Sequence, residues 1–236
     1  MRTIDIKTTT WLNMIEGDVP FSFSRFGDGE VLCMFPIPTI NENCDGSRFL
    51  PELKEPMKQI FRNNYEYFHA ILNCTFWTNG DKFKKFIEET CPDMLFVMGD
   101  FWQDDISANG RIPMLTNLLS QKEFCFIGNE RLRNLQYVEN MQLKHFIEIP
   151  AKDSFLKFKE IKQSILDMYA KGVKRFAFSA GYTTKILIDE LFPIIGEDAT
   201  MIDFGSVFDP YCGVLSRTSM RDKGVDWYQK YTSFEL

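Results

Sequence analysis

Short apolar segments alternate with helical segments along most of the chain, and this alternation limits the fold more than any other feature of the sequence. The strand-like segments are residues 21–24, 68–76, 94–98, 124–127, 175–179 and 200–204, with 146–150 as a short strand or an edge segment. The helix-like segments are residues 82–89, 112–119 and 154–170, followed by a helix that Gly181 opens. In the longest of them, apolar side chains recur at three- or four-residue spacing. The alternation predicts an α/β fold, Rossmann-like, with a largely parallel sheet flanked by helices.

The length and composition are those of one globular domain. The chain has 236 residues, of which 44% are hydrophobic and 25% are charged, close to the globular average. A chain of this length can bury a sizeable core, and the 23 phenylalanines are expected to pack there. Because no internal repeat, low-complexity stretch or linker divides the sequence, a single domain over residues 1–236 is predicted.

The charge and hydropathy of the chain limit the classes of partner that it is expected to bind. A net charge of −6 and a pI near 5.1 disfavour general nucleic-acid binding, which uses a basic surface, although a local basic groove is compatible with them. No apolar run approaches the roughly 20 residues that span a bilayer, and residues 1–18 lack the continuous apolar core of a signal peptide. We therefore expect a cytoplasmic protein with no transmembrane segment.

The cysteines and histidines are poorly spaced for a zinc site. The six cysteines stand at positions 33, 44, 74, 91, 125 and 212, and none forms a C-x-x-C pair. The only histidines, His69 and His145, lie in apolar, strand-like surroundings. A zinc site is therefore disfavoured, free thiols are expected, and both histidines are interpreted as core or surface residues.

The residues that follow the strands are the candidates for function, because ligands of parallel α/β sheets bind beyond the carboxyl ends of the strands. Glycine or polar residues stand at five such strand ends: residues 25–30, 99–100, 128–131, 179–184 and 203–206. Since the carboxyl ends of neighbouring strands share one edge of the sheet, we expect these loops to border one cleft.

The first strand end, with the sequence S-R-F-G-D-G-E at residues 24–30, has the densest set of polar groups. Asp28 and Glu30 can converge on one hard cation if the backbone turns between them, and Mg²⁺ and Mn²⁺ favour such oxygen ligands. Arg25 can bind a diphosphate in bidentate fashion, and Gly27 and Gly29 let the backbone approach a ligand closely. The alternative interpretation is a glycine turn with solvated acids.

A second candidate is the sequence S-A-G-Y-T-T-K at residues 179–185, which follows a strand and begins a helix. Its backbone N–H groups and the hydroxyls of Thr183 and Thr184 suit a phosphate or a ribose, although the spacing is not that of a P-loop. Equally, Gly181 can serve only a tight turn, with a threonine capping the helix.

Two further strand ends are compatible with both a functional and a structural role. Gly128 and Glu130 follow a strand and begin a helix, where they can contact a ligand or cap the helix. Asp203 and Asp209 follow the last strand and are candidates for a base or a metal partner, or are turn residues.

The sequence F-S-R-F-G-D-G-E at residues 23–30 resembles the signature of the GT-D glycosyltransferases, a group first catalogued as a domain of unknown function. Asp28 and Glu30 match the D-x-E element of that family. Three later segments resemble the family pattern in the expected order: F-I-G-N-E at 126–130, S-A-G-Y-T-T-K-I-L at 179–187 and M-I-D-F-G at 201–205. The resemblance extends from about residue 21 to residue 217 and so covers most of the chain.

The resemblance implies a GT-D-type fold and a metal-dependent glycosyltransferase. The implied donor is a nucleotide-sugar, with a UDP-sugar favoured, and Mn²⁺ or Mg²⁺ across its diphosphate would be held by Asp28 and Glu30. The donor contacts implied are Arg25, Gly27, Gly29, Gly128, Glu130, Gly181, Thr183, Thr184 and Asp203.

The chain departs from the family pattern at one position. Some members carry a histidine after the final glycine, where this chain has Ser206. A base role assigned to that histidine therefore does not transfer to this chain. Asp209 becomes the candidate base and is counted with Asp28 and Glu30 among the catalytic residues. Arg217 becomes a further candidate for the site.

Two other functions remain open at the level of the sequence. A different nucleotide-dependent transferase, for phosphosugar or nucleotidyl transfer, would use the same acids and metal, whereas a non-catalytic nucleotide-binding module would bind the donor without turnover. The acceptor can be a glycan, a protein, a lipid-linked sugar or a modified nucleic-acid base, the last being disfavoured by the acidic net charge.

Overall fold

The computed structural model describes residues 1–99, 112–137, 141 and 143–224, and shows one sheet of eight parallel strands. The strands are β1 (Arg2–Ile4), β2 (Ser22–Phe26), β3 (Phe68–Ile71), β4 (Leu95–Met98), β5 (Cys125–Gly128), β6 (His145–Glu148), β7 (Arg175–Ser179) and β8 (Thr200–Asp203). Their order across the sheet is β1-β4-β3-β2-β8-β7-β5-β6. The predicted parallel α/β fold is therefore confirmed.

The central strands are buried along their whole length, which explains their continuous apolar sequences. Every residue of β2, β5 and β8 is buried, as is usual where helices cover both faces of a parallel sheet. Successive residues of a strand enter different core clusters: Phe176 and Phe178 belong to one cluster, and Ala177 between them belongs to the other. The sheet thus separates two hydrophobic cores, and many of the phenylalanines lie in them, as expected.

Helices cover both faces of the sheet. They are α1 (Thr8–Glu16), α2 (Asp28–Met34), α3 (Lys54–Asn63), α4 (Gly80–Thr90), α5 (Ile112–Gln121), α6 (Phe158–Ala170), α7 (Tyr182–Ile195) and α8 (Thr218–Lys223). Helices α2, α3, α4, α6 and α7 contribute side chains to one core, and α1, α5 and α8 contribute to the other. In the part of the chain that the structure describes, none of these helices has the length and apolar character to span a bilayer.

Two predicted segments differ from the observed elements. The strand predicted at residues 68–76 ends at Ile71, and Asn73–Phe76 forms a 3-10 helix. The hydroxyl of Thr75 causes the change, because it donates to the carbonyl of Phe26 at 2.6 Å and accepts from the N–H of Leu72 at 2.9 Å. The helix predicted over 154–170 begins as a separate 3-10 turn, Ser154–Lys157, and becomes α-helical at α6.

Several elements were not predicted from the sequence pattern. These are β1, whose three residues are all exposed at the sheet edge, and helices α1, α2, α3 and α8. The segment interpreted as a glycine turn at residues 27–30 is the start of helix α2, with Gly27 as its N-cap residue. The predicted strand end at residues 99–100 is described only as far as Gly99.

The topology places the ends of β2, β7 and β8 side by side. Strands β2 and β8 are neighbours in the middle of the sheet although they are far apart in sequence, and β7 lies next to β8. From β2 the chain continues to β3 and β4 on one side, whereas β5, β6 and β7 build the other side. Such a reversal in strand order opens a crevice at the carboxyl ends of the strands. The expectation that the Gly181 turn, Asp203 and Asp28 share one edge of the sheet is confirmed.

A substitution at Phe61 tests how much packing stabilises the core that contains Phe176 and Phe178. Phe61 is fully buried, and its ring centroid lies 4.9 Å from that of Phe26 and 5.5 Å from that of Phe83. Phe61→Ala should lower the free energy of unfolding by about 3–5 kcal/mol, because it removes apolar contacts and leaves a cavity. Trp77→Ala is the control: Trp77 is 76% exposed and its loss should change stability by less than about 0.5 kcal/mol. Equal losses in urea titrations of the two variants would contradict this packing.

Candidate active site

A cavity of about 380 Å³ lies beyond the carboxyl ends of β2, β7 and β8, within the usual size range of ligand pockets. Seven basic and five acidic side chains line it: Arg25, Arg48, Arg131, Lys152, Lys185, Arg217 and Arg221, against Asp28, Glu30, Asp45, Asp153 and Asp209. The cavity therefore carries an excess of two positive charges in a chain whose net charge is −6. This local excess favours an anionic ligand.

Arg25 lies at the bottom of the cavity and has unused hydrogen-bond donors. The side chain is only 5% exposed, and its Nη2 donates to the carbonyl of Phe204 at 2.7 Å. Its Nε and Nη1 are buried and have no hydrogen-bond partner among the described residues. Buried donors of this kind are rare and call for an explanation, and a ligand anion in the cavity would supply their partner. Arg25 also has a structural role, because its Nη2 ties β2 to the end of β8.

Gly205 makes the room that the Arg25 guanidinium occupies. A Cβ atom at Gly205 would overlap Nη2 of Arg25, and the backbone there has φ +55°, a conformation that favours glycine. Position 205, the last of the M-I-D-F-G segment, therefore has to be a glycine because the Arg25 side chain lies so close to its backbone.

Asp28 and Glu30 stand in the first turn of α2 but have different surroundings. Asp28 is partly exposed and lines the cavity, and its Oδ1 accepts from the N–H of Gly29 at 3.0 Å. Glu30 is 8% exposed, and its Oε2 accepts from the N–H of Gly27 at 2.8 Å. This hydrogen bond, from the N-cap residue of α2 to the side chain three residues later, fixes the Glu30 side chain.

The ammonium group of Lys185 lies between two carboxylates in the buried part of the site. Its Nζ lies 3.0 Å from Oε1 of Glu30 and 2.9 Å from Oδ2 of Asp203, and it donates to the carbonyl of Gly181 at 3.2 Å. Burial by itself lowers the pKa of Lys185, but the carboxylates of Asp203 and Glu30 outweigh it and hold the pKa above its usual value. Lys185 is therefore an ammonium ion at neutral pH.

The residues of the site fit the implied divalent cation only in part. Asp28 offers an oxygen ligand that faces the cavity, whereas both oxygens of Glu30 are engaged, one by Gly27 and the other by Lys185. Within the described ranges, no group of three or more His, Cys, Asp or Glu side chains is placed to hold a metal. A Mg²⁺ or Mn²⁺ ion at Asp28 would therefore complete its coordination with ligand oxygens and water, as these ions commonly do.

The turn after β7 borders the cavity with Gly181 and Thr183. Gly181 has φ +57°, and the hydroxyl of Thr183 lies 2.8 Å from that of Ser154. Thr184 is fully buried and does not line the cavity, because its Oγ1 accepts from the N–H of Ala180 at 3.1 Å. The donor contact expected of Thr184 is thus replaced by a role in holding the turn.

Three other predicted donor contacts also lie outside the cavity lining. A Cβ at Gly128 would overlap Leu132, so this glycine serves packing. Glu130 is exposed, although its neighbours Asn129 and Arg131 line the cavity. Asp203 is fully buried, and its Oδ2 accepts from the backbone N–H of Arg25 at 3.1 Å. Asp203 therefore holds the backbone of Arg25 in place and does not itself reach the cavity. Gly27 and Gly29 line the cavity as predicted.

Asp209 and Arg217 face the cavity from the segment after β8. Burial raises the pKa of Asp209 to about 6, although a hydrogen bond from Ser216 and the charge of Arg217 act in the opposite direction. Arg217 donates from Nε to Oγ of Ser206 at 3.3 Å and from Nη1 to Sγ of Cys44 at 2.7 Å. A carboxylate with a pKa near 6 is suited to accept a proton near neutral pH.

Several residues that line the cavity were not predicted as site residues, among them Lys185 and Tyr182. Lys185 was within the S-A-G-Y-T-T-K segment, and a lysine directly before the apolar run at residues 186–188 was a signal that could have identified it. Tyr182, next to it, is 7% exposed and lines the cavity, and its hydroxyl has no partner among the described residues. Gly29 accommodates it, because a Cβ at Gly29 would stand 2.9 Å from Cε1 of Tyr182.

Three solved structures share the fold of this chain. A structure of the domain of unknown function 1792, described as having a distinct glycosyltransferase fold, is 16% identical with a TM-score of 0.66, covering 100% of this chain and 84% of its own. A selenomethionine-substituted structure of the same domain has a TM-score of 0.64 at 15% identity, with the same coverage. A structure described as a new glycosyltransferase (DUF1792) from Streptococcus sanguinis gives 0.66 at 16% identity, covering 100% and 88%.

Neither a protein-family profile nor a curated protein sequence matches the chain. The structural likeness establishes that the chain has this glycosyltransferase-type fold, as the sequence resemblance implied. At such low identity the activity has to be argued from the site.

Gly205→Ala tests whether Arg25 binds an anion in the cavity. The new Cβ would displace the guanidinium, so binding of inorganic pyrophosphate, measured by calorimetry, should weaken at least roughly tenfold, since a hydrogen bond to a charged group contributes about 1.5–3 kcal/mol. Gly172→Ala is the matched control: Gly172 also has positive φ, at +97°, but no atom lies within 4 Å of its added Cβ. If both variants bind pyrophosphate equally well, Arg25 does not bind this anion.

Proposed function

We propose that this chain is a glycosyltransferase that takes a sugar from a nucleotide-sugar, with UDP-sugars as the favoured class, and transfers it to an acceptor hydroxyl. The observation that carries the proposal is the buried Arg25 guanidinium, whose Nε and Nη1 lack partners among the described residues at the bottom of a cationic cavity. A diphosphate carries several charged oxygens, which the charged N–H donors of a guanidinium bind strongly. The glycosyltransferase-type fold supports the same conclusion.

The donor diphosphate would lie against Arg25, between the start of α2 and the Gly181 turn. Arg25 would donate from Nε and Nη1 to phosphate oxygens, and its charge would favour the developing diphosphate anion as the sugar departs. The N–H groups at the start of α7, a helix of 14 residues, favour phosphate oxygens at this end of the sheet.

The proposed cofactor is Mn²⁺ or Mg²⁺, held by Asp28 together with the donor phosphates. Such an ion neutralises the diphosphate leaving group when it is bound. The Asp28 carboxylate suits this role because it is partly exposed and lines the cavity. Its Oδ1 accepts from the N–H of Gly29, and the thiol of Cys74 also hydrogen-bonds to the carboxylate.

Asp209 is the proposed general base. It would accept the proton of the acceptor hydroxyl in an inverting transfer, and burial raises its pKa to about 6, near the pH at which a base is most effective. Arg217, whose charge lowers the pKa of Asp209, would help to keep that carboxyl mostly ionised at neutral pH.

A panel of nucleotide-sugars, each tested with and without Mn²⁺, tests this function. Calorimetry gives donor affinity, and chromatography of the products shows which bond is cut. Release of nucleoside diphosphate together with free or transferred sugar is the expected result. Release of nucleoside monophosphate would indicate phosphosugar transfer, and release of sugar 1-phosphate would indicate nucleotidyl transfer. Binding without turnover would indicate a binding module, and absence of binding to any donor would overturn the proposal.

The pH dependence of turnover should identify the base. Because Asp209 acts as a carboxylate, kcat/KM should rise as the pH increases through about 6. Asp209→Asn should lower the rate by roughly 10²–10⁴-fold and abolish this acidic limb. Asp189→Asn is the control, because burial also raises the pKa of Asp189 to about 6, yet Asp189 does not line the cavity. An acidic limb that disappears in Asp189→Asn, or survives in Asp209→Asn, would contradict the assignment.

A further inference from the structure

The ammonium of Lys185 has all of its hydrogen-bonding capacity used within the protein. An ammonium group has three N–H donors, and three acceptors surround Nζ: Oε1 of Glu30 at 3.0 Å, Oδ2 of Asp203 at 2.9 Å and the carbonyl of Gly181 at 3.2 Å. The Lys185 side chain is about 6% exposed, and those of Glu30 and Asp203 are 10% and 0% exposed. Lys185 therefore has no donor left for a ligand.

These three acceptors lie at or just beyond the ends of three different strands. Glu30 lies in the first turn of α2 after β2, Asp203 is the last residue of β8, and Gly181 stands between β7 and α7. A single ammonium thus connects the ends of three neighbouring strands. Asp203 extends the connection, since it also accepts from the backbone N–H of Arg25.

Glu30 has no free oxygen for a metal in this arrangement. Oε2 accepts from Gly27 and Oε1 pairs with Lys185. A metal bound to Oε1 at the usual distance of about 2.1 Å would stand within roughly 5 Å of the Lys185 ammonium, and like charges at that separation repel each other in a buried site. The charges of the buried cluster already balance, with Glu30 and Asp203 against Lys185 and Arg25.

We propose that Glu30 and Lys185 form a buried ion-pair strut that positions Asp28 and Arg25, and that Glu30 ligates no metal. The two acids of the D-x-E element then have separate tasks: Asp28 binds the cation, and Glu30, through Lys185 and Asp203, keeps the strand ends in register beneath the donor. Glu30 and Lys185 are positioning residues. The part of this inference that concerns the cation rests on the proposed function.

A metal titration distinguishes the two tasks. Mn²⁺ would be titrated into protein saturated with uridine diphosphate, with free Mn²⁺ followed by electron paramagnetic resonance, for the wild type, Asp28→Asn and Glu30→Gln. We expect Asp28→Asn to weaken Mn²⁺ binding at least roughly tenfold and Glu30→Gln to change it less than roughly threefold, with a lowered kcat. If Glu30→Gln weakens Mn²⁺ binding as much as Asp28→Asn does, Glu30 is a ligand and the inference is wrong.

A second measurement tests the strut without any donor or metal. Lys185→Met leaves two buried carboxylates without their cation, which is strongly destabilising, so its melting temperature should fall. Adding Glu30→Gln removes one of these charges, and the double variant should melt above Lys185→Met alone. A double variant that melts no higher, or that fails to restore folding where Lys185→Met does not fold, overturns the strut.

The two measurements fail independently. If the wild type binds neither uridine diphosphate nor Mn²⁺ but the double variant melts higher than Lys185→Met, the proposed donor chemistry is wrong and the strut stands. If the wild type binds both but the melting order is reversed, the strut is wrong and the donor site stands.

Discussion

The contact of the Lys185 ammonium with Glu30 and Asp203 is the interaction on which the rest of the site depends. These three side chains lie at the carboxyl ends of strands that are neighbours in the sheet but distant in sequence. A parallel sheet determines which strand ends are adjacent, but it leaves the loops beyond them free to diverge. The ammonium removes that freedom, because two carboxylates and one carbonyl must converge on it. Its burial makes the arrangement costly to disturb, since any lost partner leaves an unpaired charge.

The division of labour between the two buried cations follows from counting their donors. Lys185 has three donors and three acceptors around it, so it belongs to the scaffold. Arg25 has five N–H donors, of which those on Nε and Nη1 are unused among the described residues. Two positive charges that are close in space therefore differ in their hydrogen bonding: the donors of Lys185 are all used within the protein, and those on Nε and Nη1 of Arg25 are the ones proposed to bind a diphosphate. The glycine at 205, which leaves space for the guanidinium, is as necessary to this arrangement as the arginine.

The sequence was sufficient to predict the sheet and the edge at which the site lies. The central strands are buried on both faces, so they are continuous apolar runs that can be recognised without any knowledge of the fold. The direction of individual side chains could not be predicted in the same way. Thr183 and Thr184 are adjacent in sequence, yet one lines the cavity and the other is turned back to the N–H of Ala180.

Tertiary contacts account for the remaining differences. The expectation that Glu30 holds a metal came from its spacing to Asp28. That spacing gave no sign of the contact between Oε1 of Glu30 and Lys185, which lies on a helix far away in the sequence. Likewise, Gly128 matched a family pattern, but its lack of a side chain is explained by the packing of Leu132. A short edge strand such as β1, with all its residues exposed, has no apolar pattern from which it could be predicted.

A crystal structure of the protein with uridine diphosphate and Mn²⁺ would show whether Arg25 binds the diphosphate while Lys185 holds Glu30. We expect diphosphate oxygens within hydrogen-bonding distance of Nε and Nη1 of Arg25, the ion in contact with Asp28, and Glu30 still paired with Lys185. A diphosphate bound away from Arg25, with the guanidinium donors still unused, would contradict this expectation.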